Sequence, residues 1–377
     1  MVLAAVFFGV FFSICLACLL LLLRRPSRRQ RGRVPRPRVS ILVAARNEEA
    51  DIGRCLRSLA ALNYPAGRLE IIIADDGSTD NTAGVVADFI RDKPQFRLLS
   101  VTHRLGSARG KGNALAHLCR AATTDYFLFT DADMTVSPDW VTAMVGAVTP
   151  EVGVVTGITT AEGNLFGRLQ GLDWLFGLNL IRILADRGLP ASAVGNNMLV
   201  TRAAYESTGG FESFDFTVSD DLQLFQAVTA KGYGFRNLCE PQALGVSMPQ
   251  PTVRALLLQR KRWMNGATSL PWYLTGLFGI YGAFYVVLFW PGFLTDQWVA
   301  ALYLLKIGLQ TLFLLITLRQ AGHRENLGVL LLYEFYLCIM SLAVLAYTLW
   351  PSHIVWKQRR YTWAEAQEAV RVDSVGR

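Results

Sequence analysis

Apolar and polar positions divide the chain into three zones. Residues 2–23 are an unbroken apolar run without a charge, residues 270–350 form a longer apolar block, and the residues between them mix short apolar runs with polar ones. The first run predicts a membrane anchor over residues 1–23. The block predicts about three membrane segments, 272–294, 298–318 and 327–350, with Trp290-Pro291-Gly292 breaking the first. In the middle zone Val39–Ala44, Glu70–Ala74, Phe96–Val101, Tyr126–Thr130 and Val152–Thr156 read as buried strands, being short, apolar and rich in β-branched or aromatic residues. Glu48–Leu62, Asn81–Arg91, Gly112–Ala122 and Pro138–Val148 read as the helices between them. Regular alternation of this kind predicts an α/β domain with a parallel sheet wrapped on both faces, which binds ligands at the carboxyl ends of its strands.

Beyond Thr156 the pattern predicts a helix over Leu165–Ala185, a loop and strand over Ala193–Thr201, a helix over Asp220–Lys231, and strands over Tyr233–Leu238 and Ala243–Ser247. Thr252–Leu270 then sets arginines and Lys261 among Leu256, Leu257, Leu258, Trp263 and Met264, the pattern of an amphipathic interfacial helix. The expected organisation is an anchor at 1–23, a basic cytoplasmic linker at 24–38, a catalytic domain at 39–250, the interfacial helix at 251–270, the membrane block at 271–350 and a basic tail at 351–377.

Composition sharpens this picture. A chain of 377 residues that is 52% hydrophobic and 18% charged, with mean hydropathy +0.31, is neither disordered nor a disulfide scaffold nor an ordinary soluble domain. The net charge of +8 comes from eight arginines between Arg24 and Arg38; the remaining 29 basic residues equal the 29 acidic ones. The basic pI therefore marks a membrane edge and calls for no nucleic acid. Arginines that follow an apolar run place the domain behind them in the cytoplasm and argue against a cleaved signal peptide. Cysteines at 15, 18, 55, 119, 239 and 338 are scattered, and four histidines form no zinc pattern. The soluble part reads as reduced. The tail conflicts with the block: three complete crossings put it outside, whereas Lys357, Arg359 and Arg360 ask for the inside, a conflict that one re-entrant segment would resolve. Lys306 and Glu334 lie inside segments, where a mutual pairing would relieve their cost.

The candidate chemistry sits at strand ends. Asn47-Glu48-Glu49 follows the first strand, Asp75-Asp76-Gly77-Ser78 the second and Asp131-Ala132-Asp133 the fourth, while Asp220-Asp221 opens a late helix. Two carboxylates at the end of a buried strand repel unless a hard cation lies between them and a phosphate, so a divalent metal and a diphosphate fit this arrangement. Singly, Asp75-Asp76-Gly77 also reads as a turn and Asp220-Asp221 as helix N-terminal charge. Gly106–Gly112 is not a P-loop, because Leu105 stands where its first glycine belongs and Gly112 replaces the hydroxyl after Lys111.

Jointly, Ser40–Glu49, Ala74–Asp80, Lys111-Gly112-Asn113-Ala114-Leu115, Thr130–Asp133, Ser219-Asp220-Asp221 and Gln259-Arg260-Lys261-Arg262-Trp263 resemble membrane-bound family 2 glycosyltransferases, including cellulose and hyaluronan synthases, ceramide glucosyltransferase and carotenoid-ester glucosyltransferases. The resemblance covers roughly residues 38–270 and implies a GT-A fold with inverting transfer from a nucleotide-diphosphate sugar. It assigns Glu48, Asp75 or Asp76, Lys111 and Asp131 to the nucleotide sugar, and Asp133 with Asp131 to Mg²⁺ or Mn²⁺. Asp221 becomes the general base, Gln259 and Arg262 neutralise the leaving diphosphate, and Trp263 lines the acceptor side. Ser219-Asp220 departs from the family's Thr-Glu, a shortened acid beside the base. Gly195-Asn196-Asn197-Met198 and Gly209-Gly210-Phe211 match the family's acceptor-side middle.

The expected activity is transfer of sugar from a UDP-sugar to a lipid or lipid-linked acceptor at the cytoplasmic face of a bacterial membrane. The segment Trp356-Lys357-x-Arg359-x-Tyr361 resembles a tail of lipid-modifying relatives. The alternatives are a processive polysaccharide synthase and a non-catalytic nucleotide-binding membrane protein.

Overall fold

A computed structural model describes residues 2–24, 36–215, 217, 219–266, 269–291 and 294–350, with the backbone of 354–356 and 359–361. Most of the basic linker, Gly292 of the first block segment, and Lys357 within the tail motif lie outside the described residues. In chain order the elements are α1 (Val2–Leu23), β1 (Val39–Ala45), α2 (Ile52–Ala60), β2 (Leu69–Asp75), α3 (Thr82–Ile90), β3 (Phe96–Ser100), α4 (Gly110–Ala121), β4 (Tyr126–Asp131), β5 (Met134–Val136) and α5 (Trp140–Gly146). They continue with β6 (Val152–Thr156), β7 (Ile158–Ala161), α6 (Leu165–Ala185), β8 (Asn197–Thr201), α7 (Arg202–Ser207), α8 (Asp220–Ala230), β9 (Gly234–Asn237), β10 (Leu244–Ser247) and α9 (Val253–Gly266). The C-terminal part holds α10 (Trp272–Leu288), α11 (Asp296–Ala321), α12 (Leu327–Leu349), β11 (Ile354–Trp356) and β12 (Arg359–Tyr361).

The main sheet has the order β3-β2-β1-β4-β8-β6-β9. Its first four strands are parallel, as the alternation predicts, but β8 runs antiparallel to both β4 and β6, so the sheet is mixed. Alternate residues of the parallel strands serve opposite cores. Ile41, Val43, Ile71 and Ile73 pack with Ile52, Leu56 and Trp140, whereas Leu42, Ile72, Phe127 and Phe129 pack with Leu115 and Leu118. A smaller sheet has the order β5-β10-β7, with β10 antiparallel to β5 and parallel to β7.

Register brings the acidic strand ends together: Ala45 lies opposite Asp75, and Ala44 opposite Asp131. The chain leaves β1 through Asn47, whose φ of 52° is an uncommon left-handed conformation held by its side chain, which accepts from the Thr79 N–H at 2.8 Å.

Among the described residues three helices, α1, α12 and the Gln297–Ala321 stretch of α11, are long and apolar enough to cross a membrane; α10 is a shorter apolar helix. Lys306 of α11 and Glu334 of α12 pair directly. The Tyr285 hydroxyl donates to Glu334 at 2.9 Å and Lys306 also donates to Gln310 at 2.9 Å, so these buried polar groups satisfy one another. α6 departs from the simple picture of a helix internal to the soluble domain. One stretch of it packs Leu169, Leu172 and Leu175 against Leu314, Leu318 and Leu330 of α11 and α12.

Candidate active site

The carboxyl ends of β1, β2 and β4 open into a cleft of about 630 Å³, closed on its other sides by α6, the start of α8 and α9. Glu48, Asp76, Lys111, Asp131, Asp133, Asp221, Gln259, Arg262 and Trp263 all line it. Residues separated by more than two hundred positions thus share one wall. Asp75 does not line it. Adjacent strand residues point to opposite sides, and the Asp75 carboxylate accepts from the Ser78 N–H at 3.3 Å within its own turn.

Each acid has a distinct setting. Asp76 is buried beneath the Arg46 guanidinium, which donates to the carbonyls of Asp76 and Gly77. Asp131 pairs with Lys111 at 2.5 Å. Lys111 stands in the first turn of α4, where Gly112 lets the chain approach the start of α8: a Cβ on it would lie 3.0 Å from the Asp220 carboxylate. Burial works against the Lys111 charge, but Asp131, with Asp221 and Asp220 behind it, outweighs this and holds its pKa above the ordinary lysine value. Asp133 accepts a long contact from the Ser247 hydroxyl at 3.4 Å, while its backbone carbonyl accepts from Arg54 and from the Met248 N–H. The Asp131-Ala132-Asp133 turn is therefore tied to α2 and to the small sheet.

Asp220 and Asp221 form the first turn of α8, where the helix dipole favours acids. Burial in the cleft wall, reinforced by the neighbouring Asp221, pushes the Asp220 carboxyl up to about 7 despite the opposing pull of Lys111 and Arg262. Asp221 is held differently: its Oδ1 accepts from the Leu222 N–H at 2.9 Å and its Oδ2 from the Gly195 N–H. From α9, Arg262 reaches the same acids. Burial lowers its pKa, against the upward pull of Asp131, Asp221 and Asp220.

The far end of the cleft changes character. Trp174, Gly177, Leu178 and Ile181 of α6, Leu258 of α9 and Leu270 line it there. Trp174 meets Trp263 edge-on at 4.6 Å, and the Arg260 guanidinium stacks over Trp263 at 4.3 Å while pairing with Asp173 at 2.6 Å. Sequence reasoning missed this whole α6 wall. The signal was available in Asp173, a single acid in the middle of an apolar helix, which needs a cationic partner.

Among the described residues no three His, Cys, Asp or Glu side chains converge as a complete ligand set for a metal ion. The Asp131 and Asp133 carboxylates supply the all-oxygen donor type a hard divalent cation requires, with the rest of its shell left to ligand oxygens and water.

A parallel half-sheet with acids at its strand ends, continued through antiparallel β8 into a mixed sheet, is the architecture of a GT-A glycosyltransferase. The chain belongs to glycosyl transferase family 21, whose model matches residues 4–369, and is thus a family 2-like enzyme as its motifs anticipated. It is similar to a β-monoglucosyldiacylglycerol synthase of Synechocystis sp., 30% identical over 239 residues that make up 62% of this chain and 48% of the relative. It is also similar to a poly-β-1,6-N-acetyl-D-glucosamine synthase of Staphylococcus epidermidis, 29% identical over 237 residues, 60% of this chain and 54% of that one. The chain spans about half the length of these relatives. A mannosyltransferase from Pyrobaculum calidifontis, solved in complex with GDP-mannose and Mn²⁺, shares the fold with a TM-score of 0.59 at 20% identity, over 93% of this chain and 97% of that one.

Proposed function

We propose that the protein transfers a sugar, with inversion, from a UDP-sugar to a lipid or lipid-linked acceptor at the membrane face that carries residues 39–250. The observation that carries this reading is one cleft with two chemistries: acids and cations at the strand ends, an apolar wall on α6 and α9, and α6 packed on the membrane helices.

In this reading Asp76, Glu48 and Arg46 border the nucleoside, and Lys111 with Arg262 and Gln259 faces the diphosphate. Asp131 and Asp133 would hold Mg²⁺ or Mn²⁺, which when bound neutralises diphosphate charge. Asp221 takes the proton of the acceptor hydroxyl as that oxygen bonds to the anomeric carbon; the bond from this carbon to the diphosphate oxygen breaks, and UDP departs with its electron pair. Arg262, a rigid planar fork, suits the charge that develops on the leaving group. Trp263 and Trp174 offer faces against which the acceptor packs.

The test is release of UDP and transfer of label by purified protein, with a panel of UDP-sugars, total membrane lipid, and Mg²⁺ or Mn²⁺ against EDTA. Metal-dependent release with a labelled lipid supports the proposal, and release without a labelled lipid sinks the acceptor assignment. Similarity to polysaccharide-making relatives supports a second reading, a processive synthase. Labelled material that grows in length and stays out of organic solvent would establish it.

A further inference from the structure

The basic tail and three crossings after the catalytic domain contradict each other, and α12 carries a resolution. Its start is held by the catalytic domain: Arg168 of α6 grips Glu325, just before the Asn326 N-cap, with Nε at 2.9 Å from one carboxylate oxygen and a second contact to the other. Further along, the Tyr333 hydroxyl donates to Asp173 of α6 at 3.2 Å.

The other end is held by the same domain. Lys261 of α9 donates to the carbonyl oxygens of Tyr347 at 3.3 Å and Trp350 at 2.7 Å, which belong to the helix end whose carbonyls lack intrahelical partners. Lys261 lies between Arg260, which pairs with Asp173, and Arg262, which faces the cleft acids. The strand β11 that follows runs beside α9. A helix of 23 residues is about 34 Å long. Had it crossed, Trp350 would lie a bilayer core, about 30 Å, away from the side that supplies its cap.

We propose that α12 does not cross the membrane but lies in the leaflet on the catalytic side, one face against α6, α9 and α11, with Glu334 on Lys306, and the other among lipid acyl chains. Its faces divide accordingly. Val329, Leu330 and Tyr333 are buried, while Leu331, Phe335, Ile339, Leu342 and Leu345 form an exposed, uncharged stripe. α11 returns to the same side before α12 begins, since Gly322, at φ 70°, sits so close to Pro241 of the domain that a Cβ would come within 2.6 Å. The crossings are then α1, α11 and α10, whose 17 residues span about 26 Å, and Trp350 stays on the catalytic side.

The test places an epitope tag after Arg377 of the full chain or, in a second version, in the α10–α11 connection, and adds protease to sealed vesicles of known orientation. The C-terminal tag should be cut only where the catalytic domain faces outward, and the connection tag only in the opposite orientation. A C-terminal tag that is cut together with the connection tag overturns the proposal. Fluorophores on Leu331→Cys and Leu345→Cys give a readout that does not depend on tags. Both should be quenched by quencher lipid confined to the catalytic-side leaflet, whereas quenching of the second only from the opposite leaflet overturns the proposal.

Discussion

The Asp221 carboxylate rests on the backbone of Gly195, whose N–H donates to its Oδ2 at 2.7 Å. This contact explains the glycine: a Cβ there would lie 2.8 Å from the Asp221 Cβ and push the acid from its seat. Asp221→Ala is expected to lower transfer by roughly 10²–10⁴-fold, the usual cost of losing a general base. Gly195→Ala keeps the acid but misplaces it, and should lower kcat about tenfold or more with donor KM little changed. Steady-state kinetics on both variants, with circular dichroism to establish folding, check the pair.

Asp220 is expected to make stability depend on pH. An acid whose pKa is higher in the folded than in the unfolded chain stabilises the fold below its unfolded value and loses that contribution as pH climbs through the folded one. With an unfolded value of about 4 and the folded carboxyl pushed up to about 7, the loss falls in the window between them. Asp220→Asn should flatten the decline of Tm with pH across this window when measured in EDTA. A parent-like decline in the variant would show that another group is responsible.

Asn197 is expected to act on stability. Its Oδ1 accepts from the buried Trp140 indole N–H at 2.8 Å, and its Nδ2 donates to the carbonyls of Ile158 at 3.0 Å and Ala243 at 2.9 Å, tying α5 to both sheets. Asn197→Ala strands these partners, and a loss of about 2–4 kcal/mol is expected by denaturant titration.

Gly177 tests the proposed acceptor end of the cleft. A Cβ at this position meets nothing within 4 Å. Gly177→Leu should therefore be tolerated by the fold and narrow the apolar end, reducing transfer to lipid while leaving UDP-sugar hydrolysis in place. Equal loss of both reactions would remove this position from the acceptor path.

Much of the fold was legible because β1, β2 and β4 are buried on both faces, so they read as continuous apolar runs bounded by turn residues. β5 and β7 were not, being three or four residues long and paired through β10, a partner far along the chain. The direction of β8 follows from where α6 returns the chain, which no local pattern encodes. The acids of the cleft were legible as motifs at strand ends. The choice between Asp75 and Asp76 depended on which side of the sheet edge each faces, and the α6 wall depended on tertiary packing against α9.

The anchor has a further consequence for how the molecule is assembled. Phe11 of α1 lies 4.6 Å, ring to ring, from Phe284 of α10, and Gln320 of α11 donates to the Leu22 carbonyl at 2.9 Å. If α1 spans the membrane as its length and composition allow, it leaves the ribosome long before either partner is made, and its aromatic face waits in lipid, a solvent in which it is already stable. The membrane bundle is then completed by late helices docking onto the first one. Deleting residues 1–23 to obtain a soluble enzyme would remove a wall of the bundle as well as a tether, uncovering Phe284 and Leu288.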